Sequence, residues 1–164
     1  MKKAELVVAI ALAGVAIWLH VARAMNAGGL WRDEAGAAQV ALRPSVQEMA
    51  EVFQHEAFPL LFPLTVRTYA AVAGTSDAAF RVFGLLVGLG LIALLWLNAR
   101  TVSRDLPVLS LALVGINSLV LQWGDSIRGY GLGTLLVCHL RVDLESRGFA
   151  LDCDGGRRVA RCDF

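Results

Sequence analysis

Residues 82–99 read VFGLLVGLGLIALLWLNA, and this run decides the fold. It approaches the roughly 20 apolar residues that a helix needs to cross a bilayer. Gly84 and Gly88 form a small-xxx-small pair within it, which lets a neighbouring helix approach closely. The whole chain shares this character: its 164 residues are 57% hydrophobic and 18% charged, with a mean hydropathy of +0.60. Ordinary soluble domains are about 45–50% apolar and about 25% charged. The excess lies in long runs, so the expected fold is an all-α integral membrane protein. A net charge of +1 excludes a strongly basic nucleic-acid binder. Cys138, Cys153 and Cys162 show neither CxxC nor Cys/His spacing, which argues against a structural zinc site or a disulfide framework.

Three further apolar runs accompany the first. Residues 6–22 follow Lys2 and Lys3 and end near Trp18, His20 and Arg23. At roughly 17 residues the run reaches the lower limit for a span. No small-x-small cleavage site follows a short core, so it reads as an uncleaved first span (6–23) rather than a signal peptide. Lys2 and Lys3 then hold the N-terminus in the cytoplasm. Residues 106–123 read as another span, on which Ser110 and Asn117, seven apart, share a face that should look at protein. Residues 127–140 are short for a span. They lead into the polar segment 141–164, RVDLESRGFALDCDGGRRVARCDF, which has no clear periodicity. That segment is either a short cytoplasmic tail or the mark of a continuation lost by truncation or a frame change. The short last run favours the second.

Residues 24–80 differ from the spans. DEAGAAQVALR (33–43) has helical composition and is stopped by Pro44. Ser45 and Glu48 form a capping box, after which Val46, Met49, Ala50 and Phe53 lie on one helical face. This predicts a short amphipathic helix suited to a membrane surface. Residues 58–74, FPLLFPLTVRTYAAVAG, are apolar but contain Pro59, Pro63 and a central Arg67. Charge parity argues against a crossing here. Arg100 and Arg104 mark a short positive loop that belongs inside. From a cytoplasmic start, the spans 6–23 and 81–99 already place that loop inside. An arginine at a helix centre also costs about 2.5–3.5 kcal/mol on insertion scales. The expected topology is therefore four spans with one external loop, 24–80, in which 58–74 is juxtamembrane or re-entrant. Five crossings is the competing count.

This topology gathers polar groups on the outer side. Trp31-Arg32-Asp33-Glu34 follows the first span, and His55-Glu56 follows the amphipathic helix. Arg81 opens the second span, and Asp125-Ser126-Ile127-Arg128-Gly129-Tyr130 lies between the last two. Singly, each has an ordinary role. Asp33 can cap a helix, His55 can sit at the interface, and Arg128 and Tyr130 can snorkel or join an aromatic belt. Together they supply acid, base, cation and phenol on one face of the membrane, as a lipid-borne anionic substrate requires.

The stretches WRDEAGAAQVAL (31–42), HEAFPLLFPLTVRTYAAVAGTSDAAFRVFGLL (55–86) and WGDSIRGYGLGTLL (123–136) carry a resemblance, through their order and membrane context. The chain resembles the polyprenyl-phosphate-sugar-dependent glycosyltransferases of the C-type membrane fold. These include the protein O-mannosyltransferases, the aminoarabinose transferases of lipid A and other relatives of glycosyltransferase family 39. The likeness covers residues 6–137, as the front part of a family member. Two departures stand out. Gly124-Asp125 occupies the place of the family's Ser-Arg pair, and His55 lies further from its proline than usual.

The resemblance implies a bacterial inner-membrane protein that transfers a sugar from a polyprenyl-phosphate donor to an acceptor hydroxyl on the outer face, with inversion. Asp33 would be the catalytic base and Glu34 would orient it, the acceptor or a cation. Arg128, with Tyr130 beside it, would stabilise the leaving phosphate, and His55 would help bind phosphate or acceptor. The implied partners are the lipid-linked donor and membrane lipids. The family divides over metal need, so no metal or other cofactor is assigned. Two other classes stay open: a non-catalytic membrane fragment, and a small membrane protein that binds lipid or a partner helix through Gly84 and Gly88.

Overall fold

A computed structural model describes residues 2–53, 59–103, 105–124 and 126–146. The only regular structure among those residues is helix, with no strand among them. Helix α1 (Lys2–Asn26) is an uninterrupted apolar helix of 25 residues, about 37 Å long. It ends where Asn26 Nδ2 donates back to the Ala22 carbonyl at 2.7 Å. Gly28 then takes φ +65°, a left-handed conformation that glycine adopts without a Cβ clash. Helices α2 (Arg32–Ala41), α3 (Val46–Phe53) and α4 (Leu61–Ala73) follow in the long first loop. Helix α5 (Asp77–Asn98) starts at Ser76, whose Oγ accepts from the Ala79 N–H at 3.2 Å. It continues into a wider π-helical turn, Ala99–Ser103.

Among the described residues, two helical stretches are long and apolar enough to cross a membrane, Lys3–Asn26 and Asp77–Thr101. They correspond to the first two expected spans. The third expected span is not one helix. Helix α6 (Val108–Ser110) widens into a π-helical turn at Leu111–Gly115, the helix stops, and α7 (Ser118–Gly124) starts afresh. Asn117 causes the break. Its side-chain oxygen accepts from the N–H groups of Leu119 at 2.9 Å and Val120 at 3.4 Å, so it caps α7 instead of continuing the helix before it. Ser110 and Asn117 therefore share no helix face. Helix α8 (Gly129–Ser146) also departs from expectation, running past residue 140 into the segment read as tail.

The chain passes up and down one bundle. The C-terminal end of α1 meets α7, where Arg23 Nη2 donates to the Gln122 carbonyl at 3.2 Å. The N-terminal end of α5 meets the turn after α1 through Arg81, and the residue before α8, Arg128, meets α2. All these junctions lie at one end, and α5 and α8 leave it side by side. Asn98 Nδ2 donates to the Cys138 carbonyl at 3.3 Å further along. At Gly90 an added Cβ would stand 2.8 Å from Leu135 Cδ1, so the missing side chain makes room for α8. Gly84 and Gly88 are buried within the fold, so neither lies open as the surface for an outside partner helix.

Helix α5 is the common wall of two cores. Its first half, with Phe80, Phe83 and Val87, packs with Ala37, Ala38 and Ala41 of α2 and Phe62, Val66 and Ala70 of α4. The spacing of these residues, three and four apart, puts each set on one helical face. Its second half, with Ile92 and Leu95, packs with Ala16 of α1 and with Leu111. Along α1, by contrast, Val7, Ile10 and Trp18 are exposed.

Arg67 explains why residues 58–74 could be so apolar yet carry a charge. Its guanidinium reaches the carbonyls of Ala41 (3.3 Å), Arg43 and Pro44 (3.0 Å). A cation is favourable at the C-terminal end of a helix, where carbonyls lack intrahelical partners. Helix α4, with 13 residues, is about 20 Å long and packs against α2 and α5. The Ser45 cap also forms: the Glu48 N–H donates to Ser45 Oγ at 3.1 Å, and Ser45 Oγ donates to Glu48 Oε1 at 3.0 Å. Of the expected α3 face, Met49 is fully buried, Val46 is exposed and Ala50 lies on the outside.

Candidate functional site

The site grows from the turn between α1 and α2. Gly28 and Gly29 reverse the chain, and α2 begins after Trp31. Consecutive helical residues point about 100° apart, so Asp33 and Glu34 face different surroundings. The Glu34 side chain is 4% exposed, whereas that of Asp33 is 58% exposed. Glu34 is the residue that caps α2. Its Oε2 accepts from the Trp31 N–H at 2.8 Å, the reach-back of an N3 glutamate. Its Oε1 accepts from Arg81 Nη1 at 2.9 Å and from the Ile127 N–H at 3.3 Å. One buried carboxylate thus ties together the starts of α2 and α5 and the approach to α8.

Arg81 completes that tie. Its Nη2 donates to the Gly29 carbonyl at 2.6 Å and its Nε to the Gly28 carbonyl at 3.4 Å. All three guanidinium nitrogens are engaged, and the charge is met by Glu34. Asp33 instead pairs with Arg128, whose Nη2 donates to Asp33 Oδ2 at 2.6 Å. This second pair is half open: the Arg128 side chain is 17% exposed.

A cavity of about 340 Å³ opens beside both pairs. Arg23, Trp31, Glu34, Arg81, Gln122 and Arg128 are among its lining residues. Three guanidinium groups on one concave surface suit an anion, and a phosphate above all, because arginine meets its oxygens bidentately. Among the described residues, no three of His, Cys, Asp and Glu come together as a metal site.

Of the residues expected at the site, Glu34 and Arg128 line this cavity, and Asp33 does not line it but pairs with Arg128 at its edge. Tyr130 starts α8 beside them but is 67% exposed and does not line the cavity. His55, Glu56, Asp125, Arg104, Cys153 and Cys162 lie outside the described residues. Glu34 does not orient Asp33 by direct contact; its carboxylate is taken up by Trp31, Arg81 and Ile127. It orients Asp33 only by fixing the start of α2. The cap assigned to Asp33 in its ordinary reading belongs to Glu34. Arg23, Gln122 and the Gly28–Gly29 turn were not read as parts of a site. The paired glycines just before Trp31 were the available signal, since such a pair marks a reversal. Neither a family model nor any curated protein or solved structure matches the chain.

Proposed function

We propose that this is a glycosyltransferase-like membrane protein whose cavity takes the phosphate of a polyprenyl-phosphate sugar, with Asp33 as base toward an acceptor hydroxyl. One observation carries the reading. Glu34, Arg81 and Arg128, far apart in sequence, line one cavity at the end of two helices fit to cross a membrane, and Asp33 pairs with Arg128 beside it. A lipid-borne anion would present its phosphate at that depth while its tail stays in the bilayer. The chain's resemblance to the C-type glycosyltransferases supports the same chemistry.

The acceptor hydroxyl loses its proton to Asp33 as it attacks the anomeric carbon, a contribution of roughly 10²–10⁴-fold. The Arg128 guanidinium stabilises the phosphate oxygen that leaves. Tyr130 stands beside it, and His55 keeps its proposed part in binding phosphate or acceptor. In this reading the cavity end of the bundle faces outward and the N-terminus is cytoplasmic. Helices α1, α5, α6 with α7, and α8 make four passes of the membrane, and α4 stays on the outer side. The exposed Val7, Ile10 and Trp18 of α1 and Val137 of α8 would face lipid. Arg100 stacks over Trp96 at 5.7 Å from the ring centroid, an anchor for the inner end of α5.

The test is photolabelling in liposomes with a photoreactive polyprenyl-phosphate hexose. Labelling should fall on peptides containing Trp31 or Arg128 and be displaced by polyprenyl phosphate but not by polyprenol. Labelling that polyprenyl phosphate does not displace overturns the reading. Orientation is tested separately, with single cysteines at Gln47 and Ser103 in a chain cleared of its own cysteines. An impermeant thiol reagent should reach the first but not the second in intact cells; reaching both from outside contradicts the topology.

A further inference from the structure

The cavity offers two kinds of surface. Arg23, Arg81, Arg128, Glu34, Gln122 and Ser126 line it with charge and hydrogen-bonding groups. Trp31 is the one aromatic among its described lining residues, and it is 71% exposed. An aromatic side chain buries roughly 150–250 Å² in a core or an interface, so this indole forgoes most of that gain. Its backbone, by contrast, is fixed on both sides. The Trp31 N–H donates to Glu34 Oε2 at 2.8 Å, and the Trp31 carbonyl accepts from the Ala35 N–H at 2.8 Å. Glu34 is in turn held by Arg81 and by the Ile127 N–H. The joint therefore carries an uncovered aromatic side chain on a fixed backbone, in a cavity that three guanidinium groups also line.

A sugar phosphate has matching surfaces. Its phosphate suits guanidinium groups. Its pyranose ring carries hydroxyls around the rim and an apolar face of axial C–H groups. Those hydrogens are partly positive, and the face of an indole is negative. The C–H face therefore stacks on an aromatic ring, while the hydroxyls bond to groups such as an amide, which both donates and accepts. A volume of about 340 Å³ is at the small end for ligand cavities, which suits a headgroup and not a polyprenyl chain. We infer that Trp31 is the sugar platform of the cavity: its indole stacks on the C–H face of the donor's pyranose while the arginines hold the phosphate. This rests on the function proposed above and gives a part to a residue that the reading leaves unused. Trp31 and Asp33 both stand at the start of α2, so a pyranose stacked on the first lies close to the second. An indole that only anchored the chain at the membrane interface would act alike on every lipid ligand. A sugar platform acts only on the lipid that carries the sugar.

The test measures equilibrium binding of two radiolabelled probes, polyprenyl-phosphate hexose and polyprenyl phosphate, to the full chain in detergent. Trp31→Ala should weaken the hexose donor about tenfold, the size of one aromatic contact, and change polyprenyl phosphate by less than about twofold. Trp31→Phe should keep most of the donor's affinity. In the unmutated chain, the hexose donor should protect Trp31 from oxidation by N-bromosuccinimide, read by peptide mass spectrometry, and polyprenyl phosphate should protect it much less. This second readout needs no folded variant. A Trp31→Ala chain that weakens both lipids equally overturns the inference and makes the indole an anchor or a wall of the phosphate site. So does a Trp31→Ala chain that weakens neither, or a Trp31 that oxidises equally fast under the two lipids. An unmutated chain that binds neither lipid overturns the proposed function itself. An unmutated chain that binds both, with Trp31→Ala indistinguishable from it, overturns only the part given to Trp31.

Discussion

Asp33 and Glu34 are consecutive in α2 and each carboxylate meets an arginine, yet the two pairs belong to different regions of the molecule. Glu34 and Arg81 sit in the joint between α2, α5 and the approach to α8, with side chains 4% and 11% exposed. Asp33 and Arg128 meet at the open edge of the same joint, with side chains 58% and 17% exposed. A buried carboxylate with three donors around it is held in one geometry. An exposed carboxylate on one nitrogen of one arginine can give that partner up. Under the proposed function, the difference separates a structural pair from one placed to do chemistry. It arises from the 100° step between neighbouring helical residues.

Breaking the buried pair should have the largest effect on stability. Glu34→Ala leaves Arg81 charged and without its acid inside the joint, and should cost about 3–5 kcal/mol in detergent unfolding. Adding Arg81→Leu to Glu34→Ala should recover part of that loss, because the orphaned charge goes with its partner. A Glu34→Ala chain as stable as the parent would erase the contrast. Arg67→Ala should come next. It strips the cation from three carbonyls at the end of α2 and should cost about 1–3 kcal/mol. Hydrogen exchange should rise first at residues 41–45. A uniform rise along the chain would mean that Arg67 holds more than this corner. Asp33→Asn should change stability least, by less than about 1 kcal/mol, since exposed ion pairs contribute little. A loss as large as that of Glu34→Ala would make Asp33 a structural residue too.

Hydropathy made the two long helices legible, because a continuous apolar run has few other uses. The start of α3 was legible in Ser45 and Glu48, whose hydrogen bonds are local. The break in residues 106–123 was hidden for the opposite reason. Asn117 is one polar residue in an apolar run, and averaging over the run discards the bonds it makes to Leu119 and Val120. The reach of α8 to Ser146 was missed because Arg141, Asp143 and Glu145 ended the apolar pattern without ending the helix. In the sequence Arg67 argues only against a crossing by 58–74; its partners, the carbonyls of Ala41, Arg43 and Pro44, are not legible there. At the site, residue types were readable and pairing was not. Sequence placed Asp33, Glu34, Arg81 and Arg128 on one side, but not which acid turns inward. Arg23 looked like the end of a span, and only the closeness of α7 makes it part of a cavity.

The most direct test of the account is release of polyprenyl phosphate from a labelled polyprenyl-phosphate hexose in liposomes, comparing the parent chain with Asp33→Asn. The account predicts release by the parent and a rate roughly 10²–10⁴-fold lower in the variant, with the donor bound at least as tightly. No release by the parent chain, or release by Asp33→Asn at the parental rate, would contradict it.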